Sequence, residues 1–248
     1  MNRTAQFFEQ HTRRPLLRAT IAAALLAGAA APAARADVID FEGLANTTLG
    51  HDESFRQGNF IFNGVSVDPL ARPGDMVGTV VDGGDAGLCV NLACPGNNTS
   101  NYFAGLNDGV LVLSAANGAN QVRVAGFDAS FIGSVAGVAY PSLAGFLRVQ
   151  GFSAGGGSMY EDYLFPGGAN GFSFQHFTAS AKFASQQFSE VAFFAFSCGN
   201  DGNCSAFTDG KGQFALDNVI ASVPEPSSYL MMLLGLAGIG AFARRRRA

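Results

Sequence analysis

Short apolar runs separated by turn residues fill the middle of the chain. Between residues 37 and 222, stretches rich in Val, Phe, Ile and Leu recur between clusters of Gly, Asn, Asp and Ser. Several runs alternate apolar and polar positions, as in residues 121–124 (Gln-Val-Arg-Val) and 172–175 (Phe-Ser-Phe-Gln). Such alternation is typical of strands that bury one face, and no long helical pattern competes with it. The pattern predicts an all-β fold, an antiparallel β-sandwich.

The predicted strands are apolar runs bounded by turn-forming residues. They are residues 38–41, 60–67, 76–81, 109–113, 121–127, 135–140, 146–152, 159–165, 172–178, 190–196 and 214–222. We expect them to form one domain, residues 37–221, without an internal repeat. Clusters of glycine with Asp or Asn at residues 82–85, 107–109 and 199–203 are predicted to be hairpin turns, because Gly and Asn tolerate positive φ.

The N-terminal residues follow the order of a secretory signal peptide. Arginines in residues 1–18 precede an uncharged run of Ala, Leu, Ile and Gly in residues 19–31. Ala34 and Ala36 then place small residues at the two positions that a signal peptidase requires. The apolar run is too short to span a bilayer. We therefore predict a signal peptide, residues 1–36, that signal peptidase removes after Ala36.

A second export motif overlaps this segment. Residues 12–18 (Thr-Arg-Arg-Pro-Leu-Leu-Arg) resemble the twin-arginine export motif. The general secretory route and the twin-arginine route therefore both remain open. The difference matters because a twin-arginine substrate folds before it crosses the membrane.

A Val-Pro-Glu-Pro box follows the last apolar run of the predicted domain. The box consists of Val223, Pro224, Glu225 and Pro226. Proline fixes its own φ and has no backbone N–H, which suits a rigid spacer. We predict that residues 222–228 are a linker that contains this box.

An apolar segment and an arginine cluster follow the box. Residues 229–243 are apolar, and as a helix they would extend about 22 Å, which is short against a hydrocarbon core of about 30 Å. Flanking serines and arginines can complete such a span. The arginines stop transfer and hold this end in the cytoplasm under the positive-inside rule. The cluster consists of Arg244, Arg245, Arg246 and Arg247. We predict a transmembrane helix with an arginine-rich cytoplasmic end, residues 229–248, in the inner membrane.

The order of Pro-Glu-Pro box, short apolar segment and arginine cluster resembles the PEP-CTERM sorting domain. The resemblance implies processing by an exosortase, a membrane-embedded cysteine protease that cuts near the box. It also implies delivery to the surface or exterior of a Gram-negative bacterium that produces exopolysaccharide. The alternative is a plain C-terminal anchor in which the box is only a spacer.

The predicted mature part is strongly acidic. Residues 37–226 hold six of the 15 basic residues and 18 of the 19 acidic residues, which gives a formal charge of −12 against −4 for the whole chain. Because nucleic acid requires Lys and Arg to contact its phosphates, this charge argues against a nucleic-acid partner. It suits a soluble surface domain, and it is compatible with divalent cations.

Four cysteines occur as two close pairs. Cys89 lies near Cys94, and Cys198 lies near Cys204. In an exported chain, this spacing predicts two loop disulfides, Cys89–Cys94 and Cys198–Cys204. A four-thiolate zinc site is the alternative, but it requires the two pairs to meet in space, and their spacings are wider than the usual knuckle.

The two ends of the predicted domain resemble the terminal strands of jelly-roll domains of the galactose-binding, carbohydrate-binding-module type. The resemblance rests on residues 37–43 (Asp-Val-Ile-Asp-Phe-Glu-Gly) and 214–219 (Phe-Ala-Leu-Asp-Asn-Val). It implies that the first and last strands pair and that a structural Ca²⁺ lies near them, with Glu42 and Asp217 as oxygen ligands. Alternatively, Asp217 and Asn218 end a strand or bond a neighbouring loop.

Sequence motifs give little support to catalysis. The chain has no H-E-x-x-H motif, and His51 and His176 of the predicted domain are isolated. Tyr160 and Tyr163 flank two acidic residues and could form a sugar platform. The alternative is an edge strand whose charges discourage aggregation.

We therefore expect an exported, exosortase-sorted protein of the cell surface or extracellular matrix that is not an enzyme and associates with exopolysaccharide. The first alternative is a glycan-binding module of the same fold, with Tyr160 and Tyr163 near its site. The second is a hydrolase, which predicts a pocket with two converging carboxylates or with His176 beside an acid.

Overall fold

Strands make up nearly all of the regular structure. The computed structural model describes residues 36–224 except 86, 119–120 and 169–170, together with residues 235 and 238. In chain order, the strands are β1 (Asp37–Ile39), β2 (Thr48–Gly50), β3 (Ser54–Gln57), β4 (Phe60–Val65), β5 (Met76–Asp82), β6 (Asn101–Gly105), β7 (Val110–Ala115), β8 (Arg123–Phe131), β9 (Leu143–Phe152), β10 (Ser158–Pro166), β11 (Gln175–Thr178), β12 (Glu190–Cys198), β13 (Cys204–Ser205) and β14 (Phe214–Ser222). A 3₁₀-helix spans Leu88–Val90, and one α-helical turn, α1, spans Ala181–Ala184.

Most of the two predicted targeting segments lies outside the described residues. This applies to residues 1–35 of the signal peptide and, residues 235 and 238 excepted, to the C-terminal segment from Glu225 to Ala248, which includes Pro226 and the four arginines. Within the part of the chain that the structure describes, there is no helix with the length and hydrophobicity needed to cross a membrane.

The strands form two sheets. Sheet A has the order β11-β8-β14-β6-β5-β2, and β1 also pairs with β14. Sheet B has the order β10-β9-β12-β7-β4-β3, and β13 also pairs with β12. All pairings between these strands are antiparallel. The predicted antiparallel β-sandwich is confirmed.

Strand β14 is the most highly connected strand of sheet A. It pairs along its length with β8. Its first half pairs with β6 at Phe214–Leu216, and its second half pairs with β1, where Asp37 faces Ala221. The register to β8 shifts after Asp217, where Asn218 has a φ of 49°. The predicted pairing of the first and last strands is therefore confirmed.

Phenylalanine rings join the inner faces of the two sheets. Phe127 on β8 is fully buried. Its ring centroid lies 5.8 Å from that of Phe193 on β12 and 4.9 Å from that of Tyr163 on β10. Because these contacts connect sheet A with sheet B, Phe127 is a central element of the core.

A smaller apolar cluster covers the outer face of sheet A. Its buried members include Val81, Tyr102 and Ala215, and Phe174 packs against them from the segment before β11. Burial raises the pKa of Tyr102 to about 12. The outer face of this sheet is thus partly covered by residues outside the two sheets.

Both predicted cysteine pairs are present as disulfides. Cys198 and Cys204 face each other across the β12–β13 pair, so their bond closes the predicted hairpin at residues 199–203. Cys89 and Cys94 are joined within the long connection between β5 and β6.

The structure differs from the sequence prediction in several places, and strands β2, β3 and β13 have no counterpart among the predicted runs. Residues 135–140 form turns and not a strand, because the Tyr140 hydroxyl bonds both the backbone N and O of Val135, at 2.9 and 2.7 Å. Strand β6 is buried on both faces, so it lacks the alternation that would have predicted it. The turn at residues 107–109 joins β6 in sheet A to β7 in sheet B, and the 82–85 cluster opens the long β5–β6 connection, so neither is a simple hairpin.

Replacing Phe127 with Ala should lower the free energy of unfolding by about 3–5 kcal/mol, because it removes a fully buried ring that contacts both sheets. Denaturant unfolding followed by circular dichroism measures this loss. Phe152→Ala is the matched control, since Phe152 is 39% exposed, and its cost should stay below about 1 kcal/mol. Equal losses in the two variants would contradict the assigned core.

Candidate functional site

An open polar cleft of about 300 Å³ lies at sheet A. We call it the sheet A cleft. Its lining residues come from β8, β11, β14, the β5–β6 connection and the segment before β11. They are Asn97, Asn98, Asp128, Phe174, Gln175, His176, Asp217 and Asn218. The cleft is thus assembled from residues that lie far apart in the sequence.

Three ionisable side chains form a row across adjacent strands. His176 on β11 faces Asp128 on β8, and Asp128 faces Asp217 on β14. Side chains at facing positions of antiparallel strands lie side by side on one face of a sheet. The His176 Nδ1 atom is 2.7 Å from Asp128 Oδ1. The strand register therefore creates an imidazole–carboxylate pair next to a second carboxyl group.

Asp217 is the buried member of this row, with 1% of its surface exposed. Its Oδ2 accepts hydrogen bonds from Asn98 Nδ2 at 2.9 Å and Ser100 Oγ at 3.0 Å, and its Oδ1 accepts one from the backbone N–H of Asn218 at 2.7 Å. Burial raises the pKa of Asp217, the hydrogen bonds oppose this, and the nearby Asp128 adds to the increase. Both carboxyl oxygens are thus bonded within the protein.

Asn218 fixes the position of Asp128. At the register shift of β14, its left-handed backbone conformation turns the strand locally. Its Nδ2 donates a hydrogen bond to Asp128 Oδ2 at 2.9 Å. Because His176 holds the other oxygen, the Asp128 carboxylate is oriented by two neighbours. It nevertheless remains accessible, with 27% of its side chain exposed.

Hydrogen bonds to backbone groups hold the walls of the cleft in place. The Asn97 side chain accepts from the backbone N–H of Phe174 at 2.7 Å and donates to its carbonyl at 3.2 Å. The backbone N–H of Gly96 donates to the carbonyl of Phe172 at 3.1 Å. The Cys89–Cys94 disulfide restrains the same β5–β6 connection. The cleft is therefore largely formed before any ligand binds.

The two proposed calcium ligands, Glu42 and Asp217, accept hydrogen bonds from neighbouring residues of the chain. Glu42 Oε1 accepts from the backbone N–H of Asn101 at 3.1 Å, while Asp217 accepts from Ser100. The structure thus brings both acids to the same short segment, each with a hydrogen-bond donor of the protein. Within residues 36–224, gaps excepted, no three His, Cys, Asp or Glu side chains are grouped as metal ligands would be. Calcium at this place stays a prediction.

Tyr160 and Tyr163 do not form one sugar platform. They are three positions apart on β10, so their side chains lie on opposite faces of the strand. Tyr160 is 54% exposed and stacks 4.0 Å from the Arg148 guanidinium. Tyr163 points into the core, where it contacts Phe127, and its hydroxyl donates to Glu161 at 2.6 Å. Strand β10 is an edge strand, as the alternative interpretation predicted.

The sheet A cleft has part of the arrangement that the hydrolase alternative requires. His176 lies beside an acid in an open cleft. The second acid, Asp217, is buried with both oxygens hydrogen-bonded, so it is not available to attack a substrate or activate water. The lining residues include no Ser, Thr or Cys that His176 could activate.

Replacing Asp217 with Asn should change how stability depends on pH. The pKa of Asp217 is raised in the folded protein, so the stability contributed by its neutral form is lost as pH rises through that pKa. Asn does not ionise. We therefore expect the melting temperature of Asp217→Asn, minus that of the unaltered protein, to increase as pH rises from about 4 to about 7. A constant difference across melts in this range would contradict the assigned burial.

Calcium binding predicts a chelator effect. If Glu42 and Asp217 hold Ca²⁺, saturation at about 100 times the dissociation constant stabilises the fold by about 2.7 kcal/mol. Chelator should then lower the melting temperature of the unaltered protein, and Glu42→Gln should remove this response. An identical melting temperature with and without chelator excludes the ion.

Comparison with solved structures finds proteins of low sequence identity. A DUF4465 family protein from Bacteroides caccae is 15% identical, with a TM-score of 0.48, and the alignment covers 77% of this chain and all of the other. TmCBM61, solved in complex with β-1,4-galactotriose, is 11% identical, with a TM-score of 0.34 and coverage of 74% and 94%. Both scores are too low to carry an argument, so the fold assignment rests on strand pairing. No curated protein sequence matches the chain.

A family model for the PEP-CTERM protein-sorting motif matches residues 222–247. This match covers the Val-Pro-Glu-Pro box, the apolar segment and the arginine cluster that carried the resemblance in the sequence. The motif marks an exported protein and implies an exosortase as its sorting partner. The chain therefore joins an antiparallel β-sandwich to a C-terminal PEP-CTERM protein-sorting motif.

Proposed function

We propose that the chain is a non-enzymatic protein of the cell surface or extracellular matrix that associates with exopolysaccharide. Signal peptidase removes residues 1–36, and an exosortase cuts near the Val-Pro-Glu-Pro box. One observation carries this proposal: the sorting motif begins at Ser222, which is also the last residue of β14. The β-sandwich is therefore the cargo that the motif delivers.

The pairing of β1 with β14 supports removal of both ends. Asp37, the proposed first residue after cleavage, faces Ala221, two residues before the box. The strand pairings of the described sandwich all lie between Asp37 and Ser222. Both cleavages would therefore spare the hydrogen bonds of the two sheets. This is the arrangement expected of a domain that remains folded after processing.

Glycan binding is the second candidate function, and the sheet A cleft favours it. A rigid, solvent-open cleft lined by imidazole, amide and carboxylate groups provides the polar groups that orient a small ligand. The acidic charge of the proposed mature part argues against an anionic ligand, nucleic acid included. Binding to exopolysaccharide would then keep the released protein in the matrix.

The mass of the released protein tests the sorting proposal. In cells that contain an exosortase, the released form should begin at Asp37 and lack Arg244–Arg247. Mass spectrometry of intact protein from the culture medium and cell surface measures both ends. Replacing Pro224, Glu225 and Pro226 with Ala should leave a membrane-bound precursor. Lys182→Ala, at an exposed position of helix α1, is the control and should be processed normally.

A mature product that still contains Arg247 would contradict exosortase processing and leave a plain anchor. Normal release of the alanine-substituted box would contradict the role of the box. Loss of the N-terminal segment alone would support export without C-terminal processing.

A further inference from the structure

We propose that the sheet A cleft binds one or two neutral sugar residues of a glycan through His176, Asp128 and Asn218. This inference rests on the proposed glycan-binding function and specifies its site and the chemical class of its ligand. The three side chains lie on adjacent strands and already contact one another, His176 to Asp128 at 2.7 Å and Asn218 to Asp128 at 2.9 Å.

The cleft retains hydrogen-bonding groups that its internal contacts do not use. His176 bonds Asp128 through Nδ1, which leaves Nε2, and 58% of its side chain is exposed. Asn218 donates through Nδ2, which leaves its Oδ1 as an acceptor. Each Asp128 oxygen has one partner and can accept a second hydrogen bond. Acceptors therefore outnumber donors around the opening.

A hydroxyl group matches this set because it can donate a hydrogen bond to any of these acceptors. One hydroxyl can donate to Asp128 or Asn218 while another donates to His176 Nε2, which accepts because Nδ1 carries the proton that Asp128 binds. Neighbouring hydroxyls on a sugar ring supply several donors within one rigid unit. The row of His176 and Asp128 across two strands is thus complementary to a sugar edge.

An anionic sugar does not suit the cleft. Asp128 and Asp217 occupy facing positions on β8 and β14, and their mutual repulsion contributes to the raised pKa of Asp217. A carboxylate or sulfate on the ligand would add a third negative charge. The cleft lining contains no Lys or Arg that would offset it. Uronic-acid and sulfated glycans are therefore disfavoured.

An apolar ligand also fits poorly. Phe174 is the only apolar side chain among the lining residues, so an apolar ligand would leave the polar groups without partners. A neutral, hydroxyl-rich ligand remains.

The size of the cleft limits the length of glycan that it contacts. A volume of about 300 Å³ is at the lower end of small-molecule sites. The cleft therefore contacts one or two sugar residues, while the rest of a polysaccharide remains in solvent.

Isothermal titration calorimetry with the secreted, processed protein tests this inference. The probes are neutral oligosaccharides of galactose, glucose, mannose and xylose, with oligogalacturonate and alginate oligomers as charged counterparts. At least one neutral oligosaccharide should bind, and the charged oligomers should bind at least about tenfold more weakly.

Three variants locate the site. His176→Ala, Asp128→Asn and Asn218→Gly should each weaken binding of the neutral oligosaccharide at least about tenfold. Glycine at position 218 keeps access to the positive φ and removes only the side chain. His51→Ala is the control, since His51 does not line the cleft, and its affinity should be unchanged. Thermal melting of each variant shows whether it remains folded, and Asn218→Gly provides the test if His176→Ala unfolds.

The outcomes separate this inference from the function on which it rests. Neutral glycan binding that the three variants leave intact would place the site elsewhere and overturn the inference, while glycan binding itself would stand. Equal or tighter binding of the charged oligomers would overturn the ligand class. Failure of every glycan to bind, with processing intact, would overturn both glycan binding and this site but not the sorting.

Discussion

The backbone pairing of β14 is the interaction on which the remainder of the structure depends. This strand bonds β8 on one side and both β6 and β1 on the other, so it connects the two ends of the domain to the middle of sheet A. Its inward residues Phe214, Leu216 and Val219 belong to the main core. Its final residue begins the matched sorting motif. Strand β14 thus contributes to the core and to the sheet A cleft, and it leads directly into the sorting motif.

The candidate site follows from an irregularity in that strand. The register to β8 shifts directly after Asp217, and Asn218 adopts a positive φ there. A regular strand would alternate these two side chains between the faces, whereas here both line the same cleft. Three donors satisfy the buried Asp217 carboxyl group, so it serves as the floor of the cleft. The accessible chemistry then belongs to Asp128 and His176.

Local patterns predicted the sandwich and the disulfides, because these depend on alternation and on short spacing. The pairing of the terminal strands, Asp37 with Ala221, was implied by the resemblance to jelly-roll domains and not by a local pattern. Local patterns missed β6, which is buried on both faces, and misassigned residues 135–140, where one tyrosine hydroxyl stabilises a turn. The sheet A cleft had no local signal. His176 and Asp128 are 48 positions apart, and Asn218 and Asp128 are 90 apart, so only the pairing of β11, β8 and β14 brings them together.

A crystal structure of the secreted protein with a neutral oligosaccharide would show the binding site itself. We expect a sugar residue in the sheet A cleft, with hydroxyl oxygens about 2.7–3.0 Å from Asp128 and from His176 Nε2. Asp217 should remain buried beneath the sugar, and β1 should remain paired with β14. A sugar bound instead on sheet B beside Tyr160, or a metal ion held by Asp128 and Asp217, would contradict this expectation.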